Sequence, residues 1–377
     1  MAGEEQKDVA AGAPSDDTPG LVAGKVVPRH GAYEARRSST VLATVISVAV
    51  LFALFVVSLG LGRAMIPPAE VLGILGQQFF GMQGDFSQGN VTIVINVRLP
   101  RICAAMLVGS ALAIAGATYQ GLFKNPMVSP DILGASAGAS FGAALALLLT
   151  NGGGGIVETS AFVLGFVAVM LTYFSSKSIG HGTNMTLLLV LCGLIVGTLF
   201  QSFVSIIKYT ADPDSKLPEI TYWLMGSIAK VTWADLKIFL IPYVLGAVPL
   251  LLLRWRLNTL AFGDAEAVSL GVNVPLLRAI LILCSTLLTA AVVAIAGVVG
   301  WVGLIIPHMV RFITGPDNRV VLPLSLVFGA GFLVIVDTAC RTLMASEIPL
   351  GILTSIIGAP FFFFILLKTR KGGGEQI

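Results

Sequence analysis

Residues 41–61, VLATVISVAVLFALFVVSLGL, form a continuous apolar stretch without a charged side chain. A transmembrane helix needs about 20 such residues to cross a hydrocarbon core roughly 30 Å thick. Further apolar stretches follow along the chain, the last of them at 359–367. The sequence therefore predicts an all-α protein that crosses the bilayer several times.

The composition supports the same fold class. Of the 377 residues, 56% are hydrophobic and 11% are charged, whereas soluble domains have about 45–50% apolar and about 25% charged residues. A soluble globule could not bury this much apolar surface, and a disordered chain would not contain it. The net charge is +3, and no basic cluster is long enough for binding to a nucleic-acid backbone.

Cysteine, histidine and glycine patterns give no sign of a metal or nucleotide site. The four cysteines form no CxxC pair and are expected to be packing residues, and the three histidines form no HExxH motif. Gly20–Lys25 resembles a P-loop, but three residues separate its glycines instead of four, and Val26 replaces the hydroxyl residue. We therefore expect no cofactor, no metal and no ATPase site in this chain.

Ten transmembrane spans are predicted, together with the orientation of the chain. Arg36 and Arg37 precede the first span, and Lys368, Arg370 and Lys371 follow the last. Basic residues favour the cytoplasmic side of a membrane, so both termini are predicted to be cytoplasmic. The predicted spans are 41–62, 101–122, 132–149, 157–176, 184–206, 235–253, 276–296, 298–314, 320–339 and 350–367.

Two features describe the organisation around these spans. Residues 1–38 are rich in Ala, Gly, Asp, Glu and Pro and are predicted to be a disordered cytoplasmic tail before a membrane domain at 39–377. Ala113-Ile-Ala-Gly116 recurs as Ala294-Ile-Ala-Gly297, an offset of five predicted spans. Because an odd number of spans inverts the second copy, this offset predicts two inverted repeats, which are common in transporters.

Glycines recur at helical spacing in the predicted spans. Small residues let membrane helices approach each other closely, so bundle packing accounts for most of them. The alternative is that some line a path that changes shape. The glycines concerned are Gly134, Gly138, Gly142, Gly193, Gly197, Gly297, Gly300 and Gly303.

Three arginines stand beside predicted spans on the predicted external face. Arg98 and Arg101 precede the second span, and Arg341 follows the ninth. One interpretation is that they are anchors whose charged ends extend to the membrane surface. The other is that they dock a partner protein, because the guanidinium group pairs with carboxylates through two hydrogen bonds.

The stretch 254–274 is too polar to cross the membrane. Asp264 is predicted to cap a short helix that contains Glu266 and ends at Gly271. Such a helix lies in the lipid interface or binds in a protein groove, and its acidic residues disfavour anionic lipid. Its apolar side is predicted to carry Ala267, Val268 and Leu270.

Strongly charged residues are scarce within the predicted spans, and Asp337 is the main exception. Proton- or ion-coupled carriers keep ionisable groups near the middle of the membrane. The scarcity favours energy from another subunit over the alternative of a secondary transporter. No cytoplasmic loop clusters Asp, His or Lys as a membrane enzyme would need.

A series of motifs occurs in order along the chain and resembles the FecCD permease family, the membrane subunits of ABC importers for ferric siderophores, haem and cobalamin. The resemblance extends over about 41–371. The motifs are Arg98-Leu-Pro-Arg101, Leu107-Val-Gly-Ser-Ala-Leu, Gly121-Leu-Phe-Lys-Asn-Pro126, Leu133-Gly-Ala-Ser-Ala-Gly138, Trp223-Leu-Met-Gly-Ser227, Gly263-Asp-Ala-Glu-Ala, Gly303-Leu-Ile-Ile-Pro-His308, Glu347-Ile-Pro-Leu-Gly351 and Gly358-Ala-Pro-Phe.

This resemblance implies partners and a mechanism. Permeases of the family have ten helices, lie in the inner (cytoplasmic) membrane and act as homodimers by alternating access. Two copies of a separate ATPase bind ATP and Mg, so the permease itself is not an enzyme. A substrate-binding protein docks outside through glutamates, and the resemblance assigns Arg98, Arg101 and Arg341 to that docking.

The resemblance also assigns a coupling helix and a gate. The coupling segment is expected at about 258–275, and the fifth and tenth helices are expected to border the translocation path. The residues assigned to ATPase coupling are Gly263, Asp264, Glu266, Ala267, Leu270 and Gly271. The residues assigned to the path or gate are Thr183, Asn184, Thr186 and Pro349.

Overall fold

The computed structural model describes residues 30–150, 155–180 and 185–372. Every regular element in this part of the chain is a helix, which confirms the predicted all-α class. A π-helical turn at Ile93–Arg98 leads into α4, and a 3₁₀ turn at Pro130–Leu133 leads into α5. The helices are α1 His30–Gly60, α2 Pro68–Phe80, α3 Gln88–Thr92, α4 Leu99–Leu122, α5 Ala135–Leu149, α6 Ile156–Ile179, α7 Met185–Thr210, α8 Lys216–Leu224, α9 Trp233–Phe262, α10 Asp264–Ser269, α11 Val274–Ala296, α12 Val302–Thr314, α13 Asn318–Thr342 and α14 Leu350–Gly372.

Seven of the described helical segments are long and apolar enough to cross a membrane, and three shorter apolar helices accompany them. The seven lie at Leu42–Gly60, Gln88–Leu122, Ile156–Ile179, Met185–Thr210, Trp233–Phe262, Val274–Ala296 and Asn318–Thr342. The shorter ones lie at Ala135–Leu149, Val302–Thr314 and Leu350–Phe364. Each of the ten predicted spans overlaps one of these helices, while the count of ten crossings and the orientation of the termini stay predictions.

α1 begins earlier than the predicted boundary between tail and membrane domain. It starts at His30, within the stretch assigned to the tail. The residues before the first apolar run include Glu34, Ala35, Arg36 and Arg37, and these residue types have high intrinsic helix propensity. The first 29 residues of the predicted tail lie outside the described part of the chain.

α9 is longer than the span predicted for it. The prediction ended at residue 253, but the helix continues to Phe262 and reaches 30 residues. Polar residues mark the end of a membrane crossing but need not end the helix. Hydropathy therefore predicts where the crossing ends and not where the helix ends. The helix stops at Gly263, whose φ of +127° is readily adopted only by glycine.

α4 occupies the centre of the bundle, with most of its residues buried, and packs against α9, α11, α12 and α13. α4 and α13 are antiparallel, because Arg101 near the start of α4 contacts Asp337 near the end of α13. At their crossing a Cβ atom on Gly109 would overlap the carbonyl oxygen of Gly329, and the reverse substitution is equally crowded. Only glycine allows this approach of two backbones.

A second group of helices packs beside this centre. α5 lies against α6 and α7 and also contacts α11. Gly138 and Gly142 meet the backbone of α6, where a Cβ atom would overlap the carbonyl oxygens of Leu164 and Ser160. These two glycines confirm the packing interpretation, whereas Gly300 has open space around it.

The strings that suggested an internal repeat occupy different positions in their helices. Ala113–Gly116 lies inside α4, and Gly116 packs against the backbone of Gly303. Its counterpart ends α11, since Gly297 follows the last helical residue with a φ of +66°. The alignment at this offset does not join equivalent positions, and the inverted repeat stays a prediction.

Candidate functional site

Five charged side chains meet where α4 begins and α13 ends, and we refer to them as the charge cluster. They are Arg98, Arg101, Asp337, Arg341 and Glu347. The three arginines and Asp337 are buried, with at most 7% of each residue exposed. An unpaired charge in such a setting is strongly unfavourable, so each of these groups needs partners within the protein.

Arg101 joins three elements through its guanidinium group. Its Nε donates a hydrogen bond to Oδ1 of Asp337 at 2.9 Å, and its Nη1 donates to Oε1 of Glu347 at 3.0 Å. Hydrogen bonds between two charged groups are the strongest in proteins. Arg101 therefore links the start of α4 to the end of α13 and to the connection before α14.

Arg98 and Arg341 bind the end of α1. Nη1 of Arg98 donates to the carbonyl oxygens of Leu59 and Gly60 at 2.7 and 3.0 Å. Nη1 of Arg341 donates to the carbonyl oxygen of Leu61 at 2.7 Å. The last carbonyl groups of a helix lack partners within the helix and carry partial negative charge. The two arginines satisfy these groups.

One contact in the charge cluster is incomplete. Nε of Arg341 lies 3.5 Å from Oδ2 of Asp337, and neither buried atom has a hydrogen-bond partner. Buried polar atoms are nearly always hydrogen-bonded. Arg341 and Asp337 therefore attract each other through their charges, but Nε and Oδ2 do not form a hydrogen bond.

The structure brings the three predicted docking arginines together and turns their guanidinium groups inward. The expectation of exposed groups at the membrane surface is wrong for Arg98, Arg101 and Arg341, because backbone carbonyls and carboxylates of the same chain already occupy them. Their docking role stays a prediction. Sequence reasoning missed Glu347 as a partner. It could have paired Asp337 with Arg341, whose i, i+4 spacing places both on one helix face.

The coupling segment, residues 258–275, contacts the opposite end of α13. Nδ2 of Asn258 donates to Oδ1 of Asp317, the residue before α13, at 2.7 Å. A helix rises 1.5 Å per residue, so Asp317 and Asp337 are about 30 Å apart. The charge cluster and the coupling segment are therefore separated by a distance comparable to the thickness of a membrane core.

The short helix α10 forms as predicted, with a different role for Asp264. This residue is the first of the helix and does not cap it; its Oδ1 accepts a hydrogen bond from Nη2 of Arg278 at 2.8 Å. The preceding Gly263 takes the cap position without a side-chain oxygen. Gly271 follows the helix with a φ of +78°, a conformation in which glycine avoids strain.

The apolar residues of the coupling segment do not share one face. Ala267 is fully buried against the bundle, whereas Val268 and Leu270 are 59% and 64% exposed. Phe262, just before Gly263, is 72% exposed. Adjacent exposed apolar side chains on a monomer are typical of a surface that binds a partner.

A chain of hydrogen bonds connects the coupling segment to α4. Oδ1 of Asn258 accepts from the backbone N–H of Asn318 at 2.9 Å, and Nη2 of Arg311 donates to Oδ1 of Asn318 at 3.3 Å. Arg311 also donates to the carbonyl oxygen of Ala117 at 2.9 Å and to the side chain of Gln120. Sequence reasoning missed this chain, because its members lie far apart in the sequence.

The predicted gate residues are only partly described. Thr183 and Asn184 lie outside the described residues, Thr186 is the second residue of α7, and Pro349 directly precedes α14. Their role as a gate stays a prediction.

A groove of about 580 Å³ runs along α7. Polar side chains on the outer face of a membrane helix are unfavourable against lipid, so this groove fits water or a second subunit. Its polar lining consists of Asp131, Thr198, Gln201, Ser202 and Ser205.

Metal-ligating residues do not cluster in the described ranges 30–150, 155–180 and 185–372. No group of three or more His, Cys, Asp or Glu side chains there is arranged to hold an ion. The four cysteines are free thiols.

Comparison with known proteins gives one consistent family. The model of the FecCD transport family matches residues 50–368. The molybdate import system permease protein MolB of Haemophilus influenzae is 40% identical over 85% of this chain and 94% of its own length. The hemin transport system permease protein HmuU of Yersinia pestis is 37% identical over 74% of this chain and 84% of its own.

A solved structure supports the same assignment. It is reported as an inward-facing conformation of a metal-chelate type ABC transporter, with 37% identity and a TM-score of 0.77. The match covers 86% of this chain and 99% of that chain. The family match, the relatives and the apolar helices identify a multi-pass membrane protein, and the chain belongs to the FecCD transport family.

Proposed function

We propose that this chain is the permease subunit of an ABC importer that moves a metal chelate across the inner membrane by alternating access. It acts as a homodimer with two ATPase subunits, which bind ATP and Mg, and with an extracytoplasmic substrate-binding protein. Both termini are cytoplasmic in this proposal. The charge cluster then faces the outside and the coupling segment faces the cytoplasm.

The observation that carries the proposal is the placement of these two regions at opposite ends of α13. Asp317 contacts Asn258 of the coupling segment at one end, and Asp337 contacts Arg101 of the charge cluster at the other. An importer driven by a separate ATPase needs one partner surface on each side of the membrane. The separation of about 30 Å fits that requirement.

The outer region suits an acidic partner. The charge cluster contains three cations, Arg98, Arg101 and Arg341, and two anions, Asp337 and Glu347, so one positive charge is in excess. Such an excess attracts carboxylates on an arriving protein and orients it during approach. This supports docking of a substrate-binding protein through acidic side chains.

The inner region suits a groove on an ATPase. Exposed Phe262, Val268 and Leu270 supply apolar contacts, and the neighbouring Asp264 and Glu266 supply charge at the rim. Asn258 is hydrogen-bonded to Asn318, Asn318 to Arg311, and Arg311 to α4. A movement of the coupling segment can therefore be transmitted to α4. This supports coupling of ATP hydrolysis to helix movement.

The face of α7 supports the homodimer and the translocation path. Leu194, Ile195 and Leu199 are exposed on this helix, and the groove with Asp131 and Gln201 runs beside them. A mixed face of this kind suits a subunit contact that borders a water-filled path. A second copy placed against α7 would enclose the groove.

Relatives carry different cargoes by name, so the cargo is proposed as a class only. They include permeases for molybdate, hemin and cobalamin. Ferric siderophore, haem and cobalamin are metal chelates, and molybdate is the alternative favoured by the relative MolB. A binding screen of these four compounds on the cognate substrate-binding protein, followed by uptake assays, identifies the cargo.

A transport assay tests the function itself. The permease and its ATPase are reconstituted in vesicles with the substrate-binding protein, and uptake is measured with ATP, without ATP, and with a proton or sodium gradient alone. Uptake that requires both ATP and the ATPase supports the importer. Uptake by the permease alone on an ion gradient would show a secondary transporter and contradict the proposal.

A further inference from the structure

Glu347 differs from the other members of the charge cluster in its accessibility. Its side chain is 32% exposed, whereas the side chains of Arg101 and Asp337 are 9% and 1% exposed. It also lies in the connection between α13 and α14, outside any helix. Glu347 is therefore the one carboxylate of the cluster that solvent and a partner can reach.

A partner's carboxylate that approaches Nη1 of Arg101 meets an acceptor that is already present, Glu347. Arg98 and Arg341 are held by carbonyl groups at the end of α1, which are fixed by the helix. Asp337 is fully buried within α13. The bond from Nη1 of Arg101 to Glu347, at 3.0 Å, has an exposed acceptor on an irregular segment and is the one that can exchange.

The same segment leads directly into α14. The backbone N–H of Ile348 donates to the carbonyl oxygen of Cys340 at 3.1 Å, and that of Leu350 donates to Gly226 at 2.9 Å. The bond between Arg101 and Glu347 is the charged member of this set of contacts. Its release would loosen the connection that holds the first turn of α14 against Gly226 and the end of α13.

On the basis of the proposed function, we propose that Glu347 holds the position on Arg101 that a carboxylate of the substrate-binding protein takes on docking. Docking then exchanges one carboxylate for another, so the charge around Arg101 is unchanged. The displaced Glu347 moves into solvent, where its charge is well hydrated. The exchange frees the segment before α14 only when a partner is bound.

Affinity measurements test the exchange. If Glu347 occupies the position on Arg101, a partner binds only the fraction of molecules in which that position is free. Its apparent affinity is then the intrinsic affinity multiplied by this fraction. Glu347→Gln keeps the shape and removes the competing charge, so it is expected to bind the purified substrate-binding protein about fivefold to tenfold more tightly than the wild type. The matched control is Glu219→Gln, which removes a paired glutamate on α8 and leaves affinity unchanged.

The two possible failures are distinguishable. Equal or weaker binding by Glu347→Gln, with normal binding by the wild type and the control, overturns the exchange and leaves the proposed function standing. Absence of binding by all three proteins overturns the proposed function and the exchange together. A folded state of each variant is verified by thermal melting before binding is measured.

A second measurement follows the segment itself. Ser346 is exposed, and Ser346→Cys can be labelled selectively with a nitroxide because the native cysteines are buried or half-buried. The exchange predicts that the label becomes more mobile when the substrate-binding protein docks on the otherwise wild-type permease. It also predicts high mobility before docking in the Glu347→Gln background. Unchanged mobility in both cases overturns the inference.

Discussion

Asn258, near the end of α9, accepts a hydrogen bond from the backbone N–H of Asn318, the first residue of α13, at 2.9 Å. Its Nδ2 atom at the same time donates to Asp317 at 2.7 Å. One amide thus fixes the coupling segment to the start of the helix that carries the charge cluster at its other end. A movement of the coupling segment acts on α13 and, through Arg311, on α4.

Asn258→Ala is expected to separate ATP hydrolysis from transport. The substitution removes all three hydrogen bonds that the Asn258 side chain makes with Asp317 and Asn318, so α9 can move without moving α13. Transport per ATP hydrolysed should fall severalfold in proteoliposomes while the ATPase rate persists. The control is Thr259→Ala, because the Thr259 hydroxyl donates only to the carbonyl oxygen of Arg256 in its own helix. Equal stoichiometry in the two variants would contradict the prediction.

Reversal of the pair between Asp264 and Arg278 tests how α10 is held. The 2.8 Å contact joins α10 to α11, and the Asp264 side chain is half exposed. Either Asp264→Arg or Arg278→Asp alone places like charges together and should reduce transport by about twofold to fivefold, in line with the modest strength of exposed pairs. The double variant restores the pair with opposite polarity. If it transports no better than the single variants, the pair does not position α10.

Gly109→Ala should destabilise the bundle at its centre. The new Cβ atom would overlap the carbonyl oxygen of Gly329, and forcing extra atoms into a packed core costs about 1–3 kcal/mol. The expected result is a lower melting temperature of the detergent-solubilised protein. Gly300→Ala is the matched control, because open space surrounds Gly300. An unchanged melting temperature for Gly109→Ala would show that α4 and α13 can separate without loss.

Arg341→Ala should be more harmful than removal of an exposed arginine. The variant leaves the carbonyl oxygen of Leu61 without the donor from Arg341, and it leaves Asp337 with one fewer counter-charge in a buried site. Breaking a buried ion pair from one side typically costs about 3–5 kcal/mol. Melting temperatures are compared with those of Arg319→Ala, whose parent side chain is 62% exposed. Similar melting temperatures for the two variants would contradict the structural role of Arg341.

Asp317 should make stability depend on pH at the acidic end. Burial pushes the pKa of Asp317 upward, but hydrogen bonds from Arg319 and Asn258 outweigh it and hold the pKa below its ordinary value. A carboxyl group with a lowered folded-state pKa stabilises the protein above its unfolded pKa of about 3.9. This contribution is lost as the pH falls through the folded pKa.

The corresponding measurement compares melting temperatures of the wild type and Asp317→Asn between about pH 3 and pH 6. The difference between the two proteins should be largest near pH 6 and shrink toward pH 3. A difference that stays constant over this range would assign the effect of the substitution to lost hydrogen bonds and not to charge.

The apolar stretches predicted the helices because a membrane crossing requires length and low polarity, both of which are local properties. Residues 41–61 are a clear case, since α1 covers all of them except Leu61. The end of α9 was missed for the opposite reason. Helix formation continues beyond the lipid, so a polar residue such as Arg254 does not mark the last turn.

The candidate site was predicted in its location and missed in its contacts. Motif positions brought Arg98, Arg101 and Arg341 to one end of the bundle, but a linear sequence does not show which acceptors face them. Glu347 lies 246 positions from Arg101. Pairs at such separation depend on how α4, α13 and the connection before α14 pack, and that packing is known only from the folded structure.

The length of α9 has a consequence for access by soluble proteins. Thirty residues at 1.5 Å each give a rod of about 45 Å, whereas the hydrocarbon core is about 30 Å thick. Some ten residues therefore extend beyond the hydrocarbon core, through a distance comparable to the headgroup regions. The helix thus brings α10, which packs against its end, to the water-facing edge of the bilayer, where a soluble protein can contact it and act on α9.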